Sequence, residues 1–423
     1  MIAPVIKKLI RRKTQRTVRI GAWMVMMGVW IAASSGLPLL GRLLIPVVPS
    51  VLLLWHFRGN RIPVLTYHSV SNDAKWLDAP GLIVPVPSFE RQMKWIADHH
   101  YRTLSMDELY TARTRGRIPG KSIVLTFDDG YLDNWVAVEP ILDKYRLKGT
   151  VFVSTQWIDP GSEPRPNINS SAEKFYWQGY LNRWEIKTLK KRGILDVQSH
   201  GVSHDRIFTS PERTGFVSET NAPVWAWLCI HPEDKPFWYK KKYALPKGYP
   251  LFKGGEALAA RRFFPDAAYI DRCIDRGKPP EPDAPVTGKG RCETDEEACD
   301  RWRQELTLSR KTLEEITHGQ VRHLCWPRSA YCKDSLALAK KEGYLSVTAG
   351  RHHNGQEDPF SVSRVHIGAI GNVNLDLLRF ILEIRVFNGH YYAFPLLWLC
   401  QRIMARTWEK RQINKQDIFH GKD

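Results

Sequence analysis

Two adjacent acids, Asp128 and Asp129, are the first residues whose type and position suggest chemistry. They directly follow the β-prone run Ser122–Phe127 and precede Gly130, which is how a buried parallel strand delivers carboxylates to the C-terminal edge of a sheet. Because neighbouring side chains leave a strand in different directions, one carboxylate can hold a metal while the other moves protons. A plain Asp-Asp-Gly turn is the alternative explanation of this segment taken alone.

A second pair of candidate residues, His200 and His204, follows another strand-like run, Ile194–Ser199. Two imidazoles at this spacing can reach one metal ion, and one carboxylate added to them makes a three-ligand site with open positions for water and substrate. Ordinary hydrogen-bonded structural histidines are the alternative explanation. Zinc suits two imidazoles and one carboxylate, and cobalt, nickel or iron would also bind such a set.

Size and charge limit the class of protein. With 423 residues and 43% hydrophobic residues, the chain is long enough for one large domain with additions, or for two domains. The formal net charge is +18, and seven basic residues lie between Lys7 and Arg19. No nucleic-acid-binding motif accompanies this charge, so the distribution favours an anionic membrane surface over nucleic acid as the partner. A merely solvated basic surface is the alternative.

The N-terminal region predicts a membrane anchor. Ile20–Gly41 contains 22 residues without a charge, enough to cross a bilayer as a helix. The excess of basic residues before it predicts a single-pass protein of the inner or plasma membrane, with the catalytic part periplasmic or extracellular. A cleaved signal peptide is an alternative. A second apolar stretch, Leu43–Phe57, either lies in the interface or completes a helical hairpin, which would reverse the topology.

From residue 61 onwards, strand-like and helix-like segments alternate, which predicts parallel βα units in a barrel or an open sheet. The predicted strands are Val64–His68, Ile123–Phe127, Thr150–Ser154, Leu195–Ser199, Val321–Pro327 and Leu345–Ala349. The predicted helices are Ser88–His99, Ser105–Arg113, Val136–Tyr145, Trp184–Lys191, Trp302–Thr317 and Lys333–Glu342.

The segments Thr126–Gly130 and Ser199–His204, in this order, closely resemble the metal-dependent polysaccharide deacetylases, the family with the NodB homology domain. Five further segments resemble the branch of poly-N-acetylglucosamine de-N-acetylases: Pro63–Ser69, Phe89–Trp95, Tyr101–Leu109, Gly149–Val153 and Leu324–Tyr331. The resemblance covers about residues 62–205 and 300–370. It implies an α/β fold, a distorted (β/α)7-like barrel, here with a large insertion and an N-terminal transmembrane segment.

The resemblance also implies roles for individual residues. Asp129, His200 and His204 would be the ligands of a divalent metal ion, and Asp128 would be the base that takes a proton from the attacking water. The backbone amide of Arg328, which follows a proline, would donate to the developing oxyanion and contribute about 3 kcal/mol to the transition state.

This third motif departs from the family at one point. The family often has Pro-Tyr-Gly or Pro-Phe-Gly where this chain has Pro-Arg-Ser, so Arg328 brings a cation that can face an anionic group on the substrate. The motif further implies substrate contacts by Trp326, Pro327 and Tyr331.

The proton donor is not obvious from the sequence. Many family members use a histidine within a late Leu-x-His motif, which this chain lacks. His366, within Ser363–Ile367, is one candidate and His68 is the other. Either can instead be a hydrogen-bonded structural histidine.

These observations predict five regions. They are residues 1–60 (basic N-terminus and anchor), 61–205 (first part of the barrel), 206–299 (inserted cap), 300–376 (second part of the barrel) and 377–423 (basic amphipathic tail). The aromatic residues of the cap can stack on sugar rings, meet lipid or form a small local core. The tail can lie on a membrane surface or dock on the barrel.

Seven cysteines are present without a Cys-x-x-Cys pair, which argues against a structural zinc site. The pairs Cys292/Cys299 and Cys325/Cys332 have spacings that a disulfide could close, and free thiols are the alternative.

The leading functional hypothesis is a membrane-anchored enzyme that removes N-acetyl groups from amino sugars of an envelope polysaccharide or a lipid-linked saccharide. Its partners would be this N-acetylated glycan and membrane lipid, with no nucleic acid. The alternatives are an inactive carbohydrate-binding protein of envelope assembly and a deformylase or other amidase that acts on a glycolipid.

Overall fold

The computed structural model of the chain describes residues 62–73, 76–77, 81–117, 119–218, 223–241, 244–276, 290–350, 358–369, 372–388, 393 and 396–400. The membrane segment predicted at Ile20–Gly41 and the apolar stretch Leu43–Phe57 lie outside these residues. Within these ranges, none of the helices combines the length and the apolar character that crossing a bilayer requires.

The centre of the fold is a nine-stranded sheet in which every pairing is parallel. Its strands are Val64–Tyr67 (β1), Arg102–Leu104 (β2), Ser122–Phe127 (β3), Gly149–Val153 (β4), Leu195–Ser199 (β5), His323–Cys325 (β6), Ser346–Ala349 (β7), Ser361–Ser363 (β8) and Val365–His366 (β9). The order is β8-β7-β6-β5-β4-β3-β1-β9, with β2 paired to the first half of β3.

Strands β8 and β9 bring the two edges of this sheet together. They are separated only by Arg364, yet β8 pairs with β7 while β9 pairs with β1. The chain segment 361–366 therefore bridges the first and last strands and makes a nearly closed barrel with seven strand positions. This architecture confirms the predicted distorted (β/α)7-like barrel.

Alternation along the strands sorts side chains between the barrel interior and the helical shell. In β3, the apolar residues Ile123, Leu125 and Phe127 belong to the large core between barrel and helices. Val124 belongs instead to a separate cluster inside the barrel. Every second side chain points the same way, so Thr126 and Asp128 also face the barrel interior. The inner face thus changes from apolar to polar towards the C-terminal ends of the strands.

Helices surround the barrel, and most follow the sequence prediction closely. Their bounds are Val86–Asp98, Met106–Thr114, Glu139–Lys144, Arg183–Arg192, Val224–Ile230, Ala267–Arg276, Asp295–Thr317, Lys333–Lys341 and Val373–Phe387. Capping boxes begin four of them, at Ser105, Asn182, Thr294 and Cys332.

The helix predicted at Val136–Tyr145 differs from the observed structure. It begins as a π-helical turn, Asn134–Val138, and continues as the short α-helix Glu139–Lys144. The predicted 3.6-residue period cannot reveal such a turn, which is often found next to functional sites.

The region predicted as a cap contains two antiparallel sheets of two strands each. Arg206–Phe216 pairs with Pro250–Glu256, and Phe263–Pro265 pairs with Gly290–Cys292. Its aromatic residues form a local core around Trp227, as one of the alternatives predicted. The boundaries of this region stay predictions.

The described part of the C-terminal region docks on the barrel. The helix Val373–Phe387 buries Phe380 and Ile384 in the main core, and Ser88 donates a hydrogen bond to Asp376 Oδ2 at 2.7 Å. The boundary predicted before residue 377 therefore falls inside an observed helix.

All seven cysteines lie in the described part of the chain and all are free thiols. Of the two alternatives left open by the spacing of Cys292/Cys299 and Cys325/Cys332, the free thiols are confirmed.

Candidate active site

The two acids of the first motif leave β3 in different directions. Asp128 continues the strand into the barrel interior, and its backbone N–H donates to Tyr67 O at 3.0 Å. Asp129 has a φ of +72° and Gly130 also has a φ of +72°, so the chain turns sharply after the strand. A positive φ is uncommon for residues other than glycine. The turn directs the Asp129 carboxylate towards the loop after β5.

Asp129, His200 and His204 come together at this edge of the barrel. Asp129 Oδ1 lies 3.1 Å from His200 Nε2 and 3.3 Å from His204 Nε2. The three potential ligand atoms lie within 4.8 Å of one another, which is close enough for joint coordination of one ion.

The chemistry of these donors fits a divalent cation. His200 Nδ1 lies 2.8 Å from Cys325 O, so a proton on Nδ1 can donate to that carbonyl and leave the Nε2 lone pair free to coordinate. Asp129 Oδ1 is buried, and the two Nε2 atoms beside it donate no hydrogen bond to it when both rings present lone pairs to an ion. A buried carboxylate oxygen without a donor is costly unless something else satisfies it.

Two other groups of side chains in the described residues have metal-ligand spacing. Asp128, His200 and Cys325 form one, but both oxygens of this carboxylate and the Cys325 sulfur already accept hydrogen bonds from an arginine. His231, Glu233 and Asp234 form the other, on the surface of the cap. Exposed groups of this kind occur commonly without an ion, so the Asp129 set is the strongest candidate.

The arginine beside Asp128 is Arg364, which the sequence analysis did not identify. Its Nη1 and Nη2 donate to Asp128 Oδ1 and Oδ2, each at 2.7 Å, and Nη1 also donates to Thr126 Oγ1 at 3.1 Å. Burial alone would raise the pKa of Asp128, but the charge and hydrogen bonds of Arg364 outweigh it and lower this pKa to about 2. Asp128 is therefore ionised at neutral pH.

The two histidines considered as proton donors lie side by side, with ring centroids 5.2 Å apart. His68 Nε2 lies 4.0 Å from Asp128 Oδ2, whereas His366 Nε2 lies 3.0 Å from Gly81 O. Burial lowers the pKa of His68, and burial together with the neighbouring His68 lowers the pKa of His366 to about 4.

The third motif contributes one residue to the site opening. Arg328 and Ser329 have φ values of +52° and +56°, which turn the chain after Pro327. The Arg328 side chain is half exposed, and its Nε lies 3.3 Å from Glu256 Oε2.

The remaining residues of this motif lie deeper than predicted. Trp326 is fully buried in the core between barrel and helices, and its ring stacks on Tyr331 at 5.6 Å. Trp326 is buried there because side chains alternate between the two faces of a strand. It therefore points to the same side as Leu324, which faces the helical shell. This placement argues against a direct substrate contact by Trp326. Pro327 is buried and Tyr331 is half-buried.

Two residues outside the motifs hold the loop that carries His204. Glu305 Oε2 accepts hydrogen bonds from the backbone N–H groups of Val202 and Ser203, at 2.8 and 3.0 Å. From the cap, the fully buried Lys235 contacts Asp205 Oδ1 at 2.7 Å and donates to Ser203 O at 3.1 Å. Nothing in the local sequence marks either residue, since both act across long sequence separations.

A cavity of about 390 Å³ opens beside Asp129 and His204. This volume is within the range of small-molecule sites. Residues of the barrel and of the cap line it together: Leu77, Tyr131, Ser154, Trp157, Tyr180, Asp205, Arg206, Val224, Trp225, Leu228, Trp238 and Arg328. The aromatic side chains Trp225 and Trp238 therefore serve both the local core of the cap and the wall of the cavity.

Comparisons with known proteins agree with the motifs. Residues 115–226 match the family model described as polysaccharide deacetylase. The protein YxkH of Bacillus subtilis, which carries the provisional name of a polysaccharide deacetylase, is 32% identical over 145 residues, 34% of this chain and 43% of that protein.

Two named enzymes are also similar. The poly-β-1,6-N-acetyl-D-glucosamine N-deacetylase of Escherichia coli is 22% identical over 143 residues, 33% of this chain and 20% of that enzyme. The enzyme of the same name from Staphylococcus aureus is 28% identical over 117 residues, 28% of this chain and 36% of that enzyme. The chain thus spans less than half the length of each of these curated relatives.

Among solved structures, a de-N-acetylase from Aggregatibacter actinomycetemcomitans is similar with a TM-score of 0.48 and 18% identity, over 72% of this chain and 94% of that one. The deacetylase PplD of Streptococcus pyogenes is similar with a TM-score of 0.44 and 19% identity, over 75% of this chain and 96% of that one. The four motif residues, Asp128, Asp129, His200 and His204, all lie within the residues that match the polysaccharide deacetylase family model, so this part of the chain is similar to that family in both sequence and motifs.

Proposed function

We propose that this protein is a metal-dependent hydrolase that removes N-acetyl groups from amino sugars of a glycan. The observation that carries the proposal is the convergence of Asp129 Oδ1, His200 Nε2 and His204 Nε2 beside a second, ionised carboxylate on Asp128. A cavity large enough for a sugar opens at this point.

Amide hydrolysis requires an activated water, a polarised carbonyl and a proton for the leaving amine. Asp129, His200 and His204 would hold a divalent ion, for which zinc is favoured by the donor set. Such an ion would polarise the amide carbonyl and make water a stronger nucleophile at neutral pH. Asp128 would accept a proton from the attacking water, while Arg364 keeps its carboxylate fixed and charged.

The proton donor we propose is His68. Its Nε2 lies 4.0 Å from Asp128 Oδ2, so a proton accepted by the carboxylate can pass to this ring and then to the amine. His366 is engaged with Gly81 O, which favours a role in orienting the ring of His68. The backbone N–H of Arg328 would stabilise the oxyanion.

The substrate we propose is an N-acetylhexosamine in a polymer or in a lipid-linked saccharide. Relatives named as poly-β-1,6-N-acetyl-D-glucosamine N-deacetylases support the first of these. The basic and apolar N-terminal sequence supports anchoring in a plasma or inner membrane with the catalytic part outside, which also stays a proposal.

The decisive experiment measures acetate release and metal content together. Purified protein is expected to release acetate from N-acetylglucosamine oligomers, to lose this activity with a chelator and to regain it with one added divalent metal. Equilibrium dialysis against zinc is expected to show one site that Asp129→Asn weakens at least tenfold.

Two matched variants test the choice of ligands. Cys325→Ser and Glu233→Gln alter the other two candidate sets and should leave the zinc stoichiometry unchanged. Loss of zinc in either variant, with binding intact in Asp129→Asn, would contradict the proposed site. Binding of the oligomers without any acetate release, with metal present, would point to a carbohydrate-binding protein instead.

A further inference from the structure

The cavity beside the candidate metal ligands has a wall that the barrel does not supply. Asp129 and His204 line its barrel side, and Trp225, Leu228 and Trp238 line its cap side. A group attached to the sugar next to the reacting amide would therefore contact residues of the inserted region. The mechanism proposed above gives no role to the charged residues of this region.

Three cations surround this wall, and two of them have acidic partners. Lys235 Nζ lies 2.7 Å from Asp205 Oδ1, and Arg328 Nε lies 3.3 Å from Glu256 Oε2. The third cation is Arg206, the first residue of the strand Arg206–Phe216. Its side chain makes no ion pair with any acid in the described ranges of the chain.

The surroundings of Arg206 hold its guanidinium in place without neutralising it. The guanidinium carbon lies 5.4 Å from the centroid of the Trp225 ring, and Nε lies against the backbone of Gly254. This Nε is buried and has no hydrogen-bond partner. A buried polar group of a cation that lacks a partner carries a desolvation cost that an anionic ligand would offset.

Glu256, on the paired strand, could also serve as a partner of Arg206 and does not do so. It lies opposite Arg206 in the register of the two strands, yet its carboxylate pairs with Arg328. The three cations thus have two carboxylate partners, Asp205 and Glu256, so one cation on the cap side of the cavity is left without an acidic partner, while Asp129 is the acid on the barrel side.

We propose that the cavity binds an amino sugar that carries a negatively charged group, a phosphate or a carboxylate, and that Arg206 contacts this group. The inference rests on the proposed function. It narrows the substrate class from N-acetylhexosamines in general to those that carry an acidic group. Arg206 is suited to this contact because its planar guanidinium can donate two parallel hydrogen bonds to either anion.

The first test compares substrates that share the N-acetylglucosamine ring and differ in whether they carry an anionic substituent. The probes are the methyl glycoside of N-acetylglucosamine, N-acetylglucosamine 1-phosphate and N-acetylmuramic acid, and the measured quantity is kcat/KM for acetate release. We expect the wild type to prefer at least one acidic probe by on the order of tenfold, and the two acidic probes distinguish phosphate from carboxylate.

Variants then assign this preference to one residue. Arg206→Gln should reduce the ratio of acidic to neutral kcat/KM to about one, and Arg206→Lys should keep part of it. The matched control is Arg291→Gln, which removes an exposed cation of the same inserted region that pairs with Glu297, and it should keep the ratio. A wild type without preference, or a preference that survives Arg206→Gln, overturns the proposal.

The second test separates this proposal from the proposed function. Binding of the same three probes is measured by calorimetry on protein freed of metal, because a bound cation would itself attract phosphate. Tighter binding of an acidic probe that Arg206→Gln abolishes supports the inference even if no substrate is hydrolysed. Equal binding of neutral and acidic probes overturns it, whether or not the protein releases acetate.

Discussion

At the scale of single residues, Asp128 depends on Arg364 for its charge. The carboxylate is 3% exposed, and a carboxylate in such a position is normally driven towards its neutral form. Two hydrogen bonds of 2.7 Å from one guanidinium reverse this tendency. The base of the proposed reaction is therefore fixed in direction and charge by the residue that connects the last two strands of the barrel.

Replacement of Arg364 by lysine is expected to lower kcat by on the order of tenfold to a hundredfold. Lysine keeps the positive charge but loses the planar pair of donors, so the Asp128 carboxylate is no longer held in one orientation. The measurement is kcat and KM for acetate release, together with the thermal midpoint. The control is Arg310→Lys, which alters an arginine that stacks on Tyr344 elsewhere in the barrel. Equal losses in both variants would show that the effect is general destabilisation.

Asp133 provides a prediction about pH. It is fully buried, and burial raises its pKa to about 7 although Ser69 Oγ donates to it at 2.5 Å. Because the pKa in the folded protein exceeds that of an unfolded chain, the associated stability is complete below pH 4 and is lost as the pH rises towards 7. The difference amounts to at most about 4 kcal/mol.

The variant Asp133→Asn should remove this pH dependence. Its unfolding midpoint is expected to exceed that of the wild type at pH 8, and the gap should shrink or reverse at pH 5. Thermal unfolding of both proteins at the two pH values measures the gap. Asp98→Asn, an exposed carboxylate that pairs with Lys94, serves as the control and should not change the slope. Parallel curves for Asp133→Asn and the wild type would refute the prediction.

Residue types and spacing predicted the centre of the site but not its supports. Asp128, Asp129, His200 and His204 occur in short motifs, so their proximity could be argued from strand order alone. Arg364 occurs in a segment that was considered only for His366. A lone arginine between two short strands carries no local signal, because its partner lies 236 residues away in the sequence.

At the scale of elements, the helix Asp295–Thr317 positions the second histidine. It packs on β5 through a hydrogen bond of 2.6 Å between Ser309 Oγ and Ser199 Oγ. From the same helix, the Glu305 carboxylate accepts the backbone N–H groups of the loop before His204. The loop has no regular secondary structure of its own, so this helix fixes its course.

Removal of the Glu305 carboxylate should weaken metal binding without unfolding the barrel. In Glu305→Ala, two buried N–H groups lose their acceptor and the His204 loop loses its anchor, so we expect a tenfold to a hundredfold lower zinc affinity. Equilibrium dialysis measures the affinity, and circular dichroism checks the fold. Glu315→Ala, an exposed position on the same helix, should behave as the wild type. An unchanged affinity in Glu305→Ala would mean that the loop is held by other contacts.

Most elements could be predicted from the sequence, because buried parallel strands and amphipathic helices have distinct periods. Two features could not be predicted in this way. The π-helical turn Asn134–Val138, whose five residues are all buried, depends on its tertiary surroundings, which no period reports. The second feature is that β8 pairs with β7 whereas β9 pairs with β1. This switch depends on closure of the sheet, and the sequence from Ser361 to His366 does not indicate where it occurs.

At the scale of the whole molecule, the inserted region is joined to the barrel by a buried charge. Lys235 is fully buried, and its Nζ contacts Asp205 Oδ1, Gln156 Oε1 and Ser203 O. These partners belong to loops of the barrel that follow β4 and β5. Only a few side chains of the cap therefore need to be in place to set one wall of the cavity.

Replacement of Lys235 by methionine should loosen this junction. The carboxylate of Asp205 loses its partner, and we expect a destabilisation of about 3 kcal/mol together with faster proteolysis within residues 206–299. Thermal unfolding and limited proteolysis followed by mass spectrometry measure both effects. Lys253→Met, which removes an exposed ion pair with Glu212 in the same region, is the control. Proteolysis that is unchanged in Lys235→Met would contradict a role in holding the cap.

The long inserted region was the part of the molecule that sequence reasoning could describe least. Its composition permitted a local core or a sugar-binding face, and in the structure neighbouring tryptophans contribute to both. Such a distinction depends on which side of two short helical segments, Val224–Ile230 and Pro232–Lys240, faces the barrel, and hydrophobicity alone does not determine it.

The bridging segment 361–366 has a consequence for how this protein is made. A growing chain acquires both acids and both histidines well before the ribosome reaches Arg364, so the early chain would contain every proposed ligand yet lack the cation that keeps Asp128 charged. Synthesis that stops upstream of this point would leave a fragment unable to carry out the proposed reaction. Catalysis would thus begin only in molecules whose last barrel strand has paired with the rest of the sheet.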